Sequence, residues 1–450
     1  MGISTKGFGP FDIRGIYPTD VDEELAYRVG RAYPGLFHIE SIAVGRDVRL
    51  SSPSIKEALI QGLMESGCRI YDIGQCGTEM MYFAVIHWKL DGGIMVTASH
   101  NPKEYNGMKF VMSSARPVSE DNGLKELERA VVEGSFDSAE PSGSLEKLEI
   151  MGDYIKYILS YVDIGKLKPY RIVANSGNGT AGPIINELEK HLPFEIIKVF
   201  NEPDGNFPNG VPNPLRQDNR EATIRAVRES GADVGVAWDG DFDRCFLFDE
   251  TGGFIEGYYM VGLLAAAFLK KNPGGRIVYD PRAVWNTIEL AEKYGGVPVL
   301  CKSGHAFIKD KMRETDAVYG GELSSHHYFR DFSYCDSGMI PWLLILELMS
   351  QTDGKTLSEL VRNRQARYPA SGELSSVVGD AKAVIDKLES IYGPHGQVSK
   401  IDGLSVEFEN WRFNVRMSST EPFVRLNVES RQDRKLMEEK TEELLRLIRE

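Results

Sequence analysis

The sequence predicts an α/β protein: three similar α/β units with mixed, mostly parallel sheets, and a small C-terminal α+β domain, set around a central cleft. Three observations lead there. A strand–helix–strand–helix–strand rhythm occurs three times between Ser41 and His326. Each passage through it ends in a polar loop, "TASH", "DGDFD" or "GELSSH". After about Asp353 the rhythm gives way to alternating helix-like and strand-like pieces. A chain of 450 residues also exceeds one ordinary core, which suits several domains. The expected divisions are 1–147, 148–248, 249–362 and 363–450.

The elements follow from local pattern. The first unit reads as strand "SIAVGRD", helix "SPSIKEALIQGLMESG", strand "RIYDIG", a helical stretch and strand "GGIMVTASH". The second runs "YRIVANSGNGTAG", helix "PIINELEKHL", "EIIKVF", helix "REATIRAVRESG" and "ADVGVAWDGD". The third runs "GRIVYDPRAVW", helix "NTIELAEKYG", "PVLCKSG", helix "HAFIKDKMRET" and "DAVYGGELSSH". "LVRNRQARYPASGEL" reads as a hinge. The tail supplies "DAKAVIDKLESIYG", "GLSVEFEN", "WRFNVRMSS", "PFVRLNVES" and a closing helix "RKLMEEKTEELLRLIRE".

Composition narrows the function. Hydrophobic residues make up 42%, a globular value, and no apolar run is long enough to span a bilayer. The opening "MGISTKGFGPFDIRG" lacks a signal-peptide core, so a cytoplasmic location and no membrane partner are expected. The five cysteines are odd in number and lack metal-ligand spacing, which disfavours a disulfide framework or a zinc site. A net charge of −14 disfavours nucleic acid. A small anionic ligand needs only a local cluster of arginines and lysines. The oligomeric state is left open.

Ser99 stands just past the apolar run "GGIMV", and Asn101-Pro102 marks a turn. A serine on a tight loop at a strand end is where an open α/β sheet carries its chemistry. "DGDFDRC" spaces Asp239, Asp241 and Asp243 two apart, about 7 Å between neighbours in a straight strand. Gly240 lets the loop curl so that all three point at one ion. Oxygen-only ligands select Mg²⁺, Mn²⁺ or Ca²⁺. An EF-hand is excluded, because Arg244 occupies its glycine position and "CFLF" continues as a strand. Arg244 beside the acids suggests an anion next to the metal.

"SGNGTAG" places Gly177, Gly179 and Gly182 in the dinucleotide spacing, with Glu202 near the acidic position. That keeps an NAD-dependent oxidoreductase open as a rival, although a tight packing turn is the simpler use of these glycines. "RMSSTEPFVRL" offers Arg416, Ser418, Ser419, Thr420 and Arg425 as an anion-binding loop. Lys109 and His326 are candidate proton carriers, and Arg14 lies in "FDIRG". A Ser-His-Asp hydrolase is disfavoured, since His100 adjoins Ser99 and no G-x-S-x-G elbow surrounds it.

Taken together, "TASHNP", "DGDFDR", "GELSSH" and "RMSSTEP" resemble, in that order, the motifs of the α-D-phosphohexomutase family, in particular its bacterial phosphomannomutase group. "YDPRAVWNT", "KSGHAFIK" and "HHYFRDFSYCDSGMIPWLL" resemble members of the GDP-mannose route. The resemblance implies a mutase that interconverts mannose 6-phosphate and mannose 1-phosphate, or glucose phosphates, through a hexose 1,6-bisphosphate. It implies that Ser99 carries the phosphoryl group and that Asp239, Asp241 and Asp243 hold Mg²⁺ with a phosphate oxygen of Ser99. Arg14, Lys109 and Arg244 match cationic active-site positions. Glu322 and Ser324 match positions that bind sugar hydroxyls, and His326, His305 and Arg282 match others lining the ligand site. Phe11 stands where some members have tyrosine, and Ser325 replaces a common glycine.

Overall fold

The three repeated units share one strand arrangement, and it decides where each polar loop lies. The structure is a computed structural model that describes residues 3–136, 143–352, 354–417 and 423–450. In the first unit, Ser41–Arg46 runs parallel to both Arg69–Gln75 and Gly92–Val96, and Gly92–Val96 pairs antiparallel with Tyr105–Met112. In the second, Arg171–Asn175 lies parallel between Glu195–Val199 and Val234–Trp238, and the latter pairs antiparallel with Cys245–Phe248. In the third, Arg276–Tyr279 lies parallel between Val297–Leu300 and Tyr319–Gly321, and the latter pairs antiparallel with His327–Phe329. Each time the chain leaves the C-terminal end of a parallel strand, makes one loop and returns antiparallel. Those loops are residues 97–104, 239–244 and 322–326, the polar segments singled out by sequence. Gly92–Val96 and Val234–Trp238 are buried along their whole length, so they read as continuous apolar runs rather than alternating ones.

Packing groups the chain into Met1–Phe254 with Asp331–Gln351, and Ile255–Arg330 with Thr352–Glu450. The first unit of packing holds the first two repeats. Helix Ile340–Ser350 returns to it, with Trp342 edge-on to Trp238 at 6.3 Å between ring centres. Trp238 Nε1 donates to the Gly338 carbonyl at 2.9 Å. The second holds the third repeat and the C-terminal domain. There an antiparallel sheet runs Leu374–Val377, Phe423–Ser430, Trp411–Met417, Leu404–Glu407, Gln397–Ser399. Leu388, Phe413, Leu426 and Leu444 fill the core between this sheet and helices Ala381–Tyr392 and Arg434–Arg449. The five cysteines are buried, and no disulfide joins them. No helix of the described residues is long and apolar enough to cross a membrane.

The expected hinge is only partly extended. Helix Leu357–Arg367 covers its first half and starts with a reciprocal cap between Thr356 and Glu359. Glu289, on helix Trp285–Lys293, accepts from Arg364 at 2.7 Å, from the Tyr368 hydroxyl at 2.6 Å, and from Arg367. Beyond the helix, Ser371 N donates to Val428 O at 2.9 Å. The arginines that resemble a solvated linker belong to a helix: Arg364 and Arg367 reach a carboxylate on another helix, and Arg364 also donates to the buried Asn286 at 2.7 Å.

Burial opposes ionisation of Glu289, but Tyr368, Arg364 and Arg367 outweigh it and hold the carboxyl at about 2. A depressed carboxylate contributes stability above its unfolded value, and that contribution is lost as pH falls toward the folded value. Glu289→Gln is therefore expected to cost about 1–2 kcal/mol at pH 7, after allowance for its partial exposure. In thermal unfolding followed by circular dichroism, the deficit should shrink steadily from pH 4.5 toward pH 2. An equal deficit at both ends would rule out the carboxylate as its origin.

Candidate active site

The Ser99 loop and the Asp239–Asp243 loop meet in one buried cluster. Ser99 has a left-handed backbone, φ 48, which a non-glycine residue adopts at a cost. Its N–H donates to Thr97 Oγ1 at 2.9 Å. Its hydroxyl donates to Asp239 Oδ2 at 2.8 Å and lies 3.0 Å from His100 Nδ1. Asp239, Asp241 and Asp243 are all buried, and one carboxylate oxygen from each lies within 4.8 Å of the others. Lys109, on the returning strand, places Nζ 2.8 Å from Asp241 and 2.6 Å from Asp243. Arg244 Nε and Nη2 approach Asp239 Oδ2 at 2.9 and 2.7 Å, and Nη2 also meets His100. Thr78 Oγ1 donates to Asp241 at 2.6 Å. Arg14 bonds to Asn101 Oδ1 at 2.8 Å and pairs with Asp12 at 2.5 Å. The structure brings Ser99, Lys109, Arg244 and the three aspartates together, with Arg14 tied to the same serine loop.

Burial pushes Asp239 up to about 7 against the pull of Arg244. Burial and Asp243 also oppose ionisation of Asp241, but Lys109 and Thr78 overcome them and keep it below the usual range. His100 is held well below its ordinary value, first by burial and then by Arg244 and Arg14. Its imidazole is neutral at pH 7. Asp241 Oδ1 is buried with no hydrogen-bond partner among the described residues. An unused oxygen inside a cluster of hard carboxylate donors fits a divalent cation.

Close backbone approach holds the two loops together. A Cβ on Gly240 would lie 2.6 Å from Ser99 O, so only glycine permits the contact. The "SGNGTAG" loop lies against the other side of Gly240. Thr180 donates to Gly240 O through N at 3.1 Å and Oγ1 at 3.0 Å, and a Cβ on Gly179 would meet that oxygen at 2.8 Å. A Cβ on Gly182 would sit 1.8 Å from Asn201 O. These glycines serve packing, and the space that a dinucleotide pyrophosphate would need is filled by the aspartate loop.

Sequence reasoning missed Arg49. Its side chain is fully buried and spends all five N–H groups on protein acceptors: Asp47 Oδ2 at 3.1 Å, and the carbonyls of Ser99, Asn101, Pro102 and Tyr105 at 2.7–2.9 Å. It clamps the serine loop from within. The only sequence signal is "GRD", with Asp47 ready to pair with a nearby arginine.

A second polar cluster is built on the third repeat and the C-terminal domain. Glu322 accepts from Gly304 N at 2.9 Å and from the Tyr328 hydroxyl at 2.5 Å. Burial raises its carboxyl above the usual range despite Arg282. Ser324 Oγ lies 3.0 Å from His326 Nδ1, and His305 begins helix His305–Thr315 beside Gly304. Arg282 is buried, gripped by Asp280 at 2.8 and 2.9 Å, and reaches Glu322 and Ser324 at 3.4 Å. Its contacts orient Glu322 and Ser324. Ser325 has φ 67, a conformation that favours glycine, which explains why a glycine is the simpler occupant there. Arg416 and Arg425 both reach Glu373, which sequence reasoning also missed. Ser418, Ser419 and Thr420 lie outside the described residues.

These features can be set against known proteins. The chain belongs to the phosphoglucomutase/phosphomannomutase family of enzymes, whose α/β/α domains I, II and III match residues 5–137, 152–253 and 256–368, and whose C-terminal domain matches 373–446. It is 54% identical over 448 residues to "Phosphohexose mutases" of Xanthomonas campestris, covering 99% of this chain and 100% of that one. It is 52% identical to a phosphomannomutase of Vibrio cholerae, covering 98% of each. A crystal structure of a phosphoglucomutase/phosphomannomutase family protein from Burkholderia thailandensis superposes with a TM-score of 0.89 at 31% identity, over 99% of this chain and 97% of that one.

Gly240→Ala should force the serine and aspartate loops apart. With Mn²⁺ as probe, paramagnetic resonance titration is expected to give binding weakened about tenfold or more, with the far-ultraviolet circular dichroism unchanged. Unchanged Mn²⁺ affinity would show that loop contact does not shape the carboxylate cluster.

Proposed function

We propose that this chain is a phosphomannomutase that interconverts mannose 6-phosphate and mannose 1-phosphate, using glucose phosphates less well, and that Ser99 carries the transferred group. The observation that carries this reading is the Ser99 hydroxyl, held in a strained loop 2.8 Å from one of three clustered carboxylates. The relatives from Vibrio cholerae and Escherichia coli that bear the name phosphomannomutase, 51–52% identical over 98% of this chain, support the substrate class.

In the proposed reaction, a hexose phosphate presents its free hydroxyl to phosphorylated Ser99. The new sugar O–P bond forms as the Oγ–P bond breaks. Ser99 Oγ keeps the electron pair, and the hydroxyl proton passes to a base, for which His326 is a candidate. The product is a hexose 1,6-bisphosphate, which also serves as the activator that loads Ser99. It turns round and returns its other phosphoryl group to Ser99 by the reverse step. Asp239, Asp241, Asp243 and a phosphate oxygen on Ser99 would hold Mg²⁺, which when bound offsets negative charge on the transferring group. Lys109, Arg244 and Arg14 supply fixed positive charge beside the serine and aspartate loops. Glu322 and Ser324 bind ring hydroxyls, flanked by His305, His326 and Arg282. Arg416 and Arg425, with Ser418, Ser419 and Thr420, anchor the phosphate that is not reacting.

Incubation with mannose 1,6-bisphosphate should add one phosphoryl group to the intact mass, mapped to Ser99. Ser99→Ala should fold, stay unmodified and lose turnover at least about a thousandfold. A phosphopeptide elsewhere, with full activity in that variant, would sink the assignment. A higher kcat/KM for glucose 1-phosphate than for mannose 1-phosphate would sink the substrate preference alone.

Arg416→Ala is expected to lower kcat/KM for both 1- and 6-phosphates about ten- to a hundredfold, the worth of one charge-assisted contact. Ser99 should remain phosphorylatable in that variant. An unchanged kcat/KM for both substrates would remove Arg416 from the phosphate anchor.

A further inference from the structure

Glu373 lies near the end of the linker, beside Gly372, and gathers arginines from two places in the sequence. Arg416 Nη2 reaches its Oε2 at 3.1 Å, Arg282 Nη1 reaches Oε2 at 3.3 Å, and Arg425 Nη1 reaches Oε1 at 3.3 Å. Burial would raise its carboxyl, but Arg282, Arg416 and Arg425 hold it down at about 2, so it is a carboxylate at every physiological pH. Asp280 answers the charge of Arg282, so the single charge of Glu373 is what faces Arg416 and Arg425, and that pair retains a surplus of positive charge.

Contact lengths separate two kinds of acid in this cluster. Asp280 holds Arg282 at 2.8 and 2.9 Å, normal for a charge-assisted bond. All three contacts of Glu373 are longer than that. Asp280 is the fixed partner, whereas Glu373 is stretched among three and belongs fully to none. Arg416 and Arg425 also keep buried Nε–H groups with no acceptor among the described residues. The arginines thus retain donors for a further anion. Their side chains are 17% and 32% exposed, against 2% for Arg282, so the Arg416–Arg425 side is the one a solute can reach.

We propose that Glu373 is an internal counter-anion that occupies the arginine clamp between turnovers and is displaced from Arg416 and Arg425 when a sugar phosphate binds. This rests on the reading that those arginines anchor the non-reacting phosphate. A phosphate dianion offers more acceptor oxygens than one carboxylate, including acceptors for the idle Nε–H groups. It also repels the carboxylate beside it. Glu373 therefore weakens the clamp's hold on the ligand while keeping the arginines pre-aligned. Weakened hold has a use here, because an intermediate that must turn round has to be let go on every cycle. Glu373 is a positioning residue that makes the clamp releasable.

The test measures mannose 6-phosphate binding by calorimetry in a Ser99→Ala background, where no turnover intrudes. Glu373→Gln removes the competing charge and is expected to tighten binding about tenfold. In the otherwise unaltered chain it should lower KM and kcat together, as slower release predicts. Glu373→Asp keeps the charge with a shorter reach and should tighten binding less, by about two- to fivefold; it stands in if the glutamine variant does not fold. Equal or weaker affinity in these variants, or a raised KM, overturns the proposal and leaves Glu373 a purely structural acid. Arg416→Ala in the same background is the separate check. If it leaves the affinity unchanged, the phosphate anchor itself is misassigned, an outcome distinct from failure of the Glu373 variants while Arg416→Ala weakens binding.

Discussion

Three carboxylates removed from water must be met by positive charge, and the first two repeats are arranged to meet them. Asp239, Asp241 and Asp243 come from a single loop, so they cannot avoid one another. Lys109 answers two of them from a different sheet, and Arg244 answers the third from the end of the same loop. Both cations sit on or at the start of a strand that returns antiparallel from a functional loop. The register that pairs Lys109 with Met95 fixes how far along that strand the ammonium stands. A shift of one residue would turn the lysine to the opposite face of the sheet. The charge balance and the strand topology are thus the same fact seen at two scales.

Main-chain carbonyls matter as much as side chains. Arg49 draws four of them toward a buried guanidinium, so a loop with little regular structure acquires a fixed shape. The absence of a side chain at Gly240 then lets the aspartate loop rest directly on Ser99 O. The "SGNGTAG" turn backs this contact from the far side. An interaction that would be ordinary between side chains becomes exacting between backbones, since a backbone has no rotamers with which to give way.

Much of the site was legible because its chemistry is local in sequence. Ser99 beside a turn, and three acids at alternate positions followed by Arg244, announce themselves within a few residues. The threefold rhythm was legible for the same reason. Arg49 was not, since four of its five acceptors lie 50 to 56 positions away and are backbone atoms, which carry no sequence signature. Glu373 was hidden in a stretch that reads as a linker, where a lone acid looks solvated. The first half of that linker proved helical because its arginines find Glu289 on another helix. The edge strands Leu374–Val377 and Gln397–Ser399 are too short to show a period, and only the neighbouring strands of the sheet define them.

The hairpin turns at the ends of the three repeats span eight, six and five residues, 97–104, 239–244 and 322–326. Each is flanked by strands already committed to the same sheet, so its two ends are fixed in space whatever lies between. Such a segment can exchange its chemistry without renegotiating the core beneath it. One segment now carries a serine, one a row of acids, and one a glutamate with a histidine. A repeated scaffold with replaceable tips lets each unit carry its own chemistry, and the physical demand on each is only that its ends still meet the same two strands.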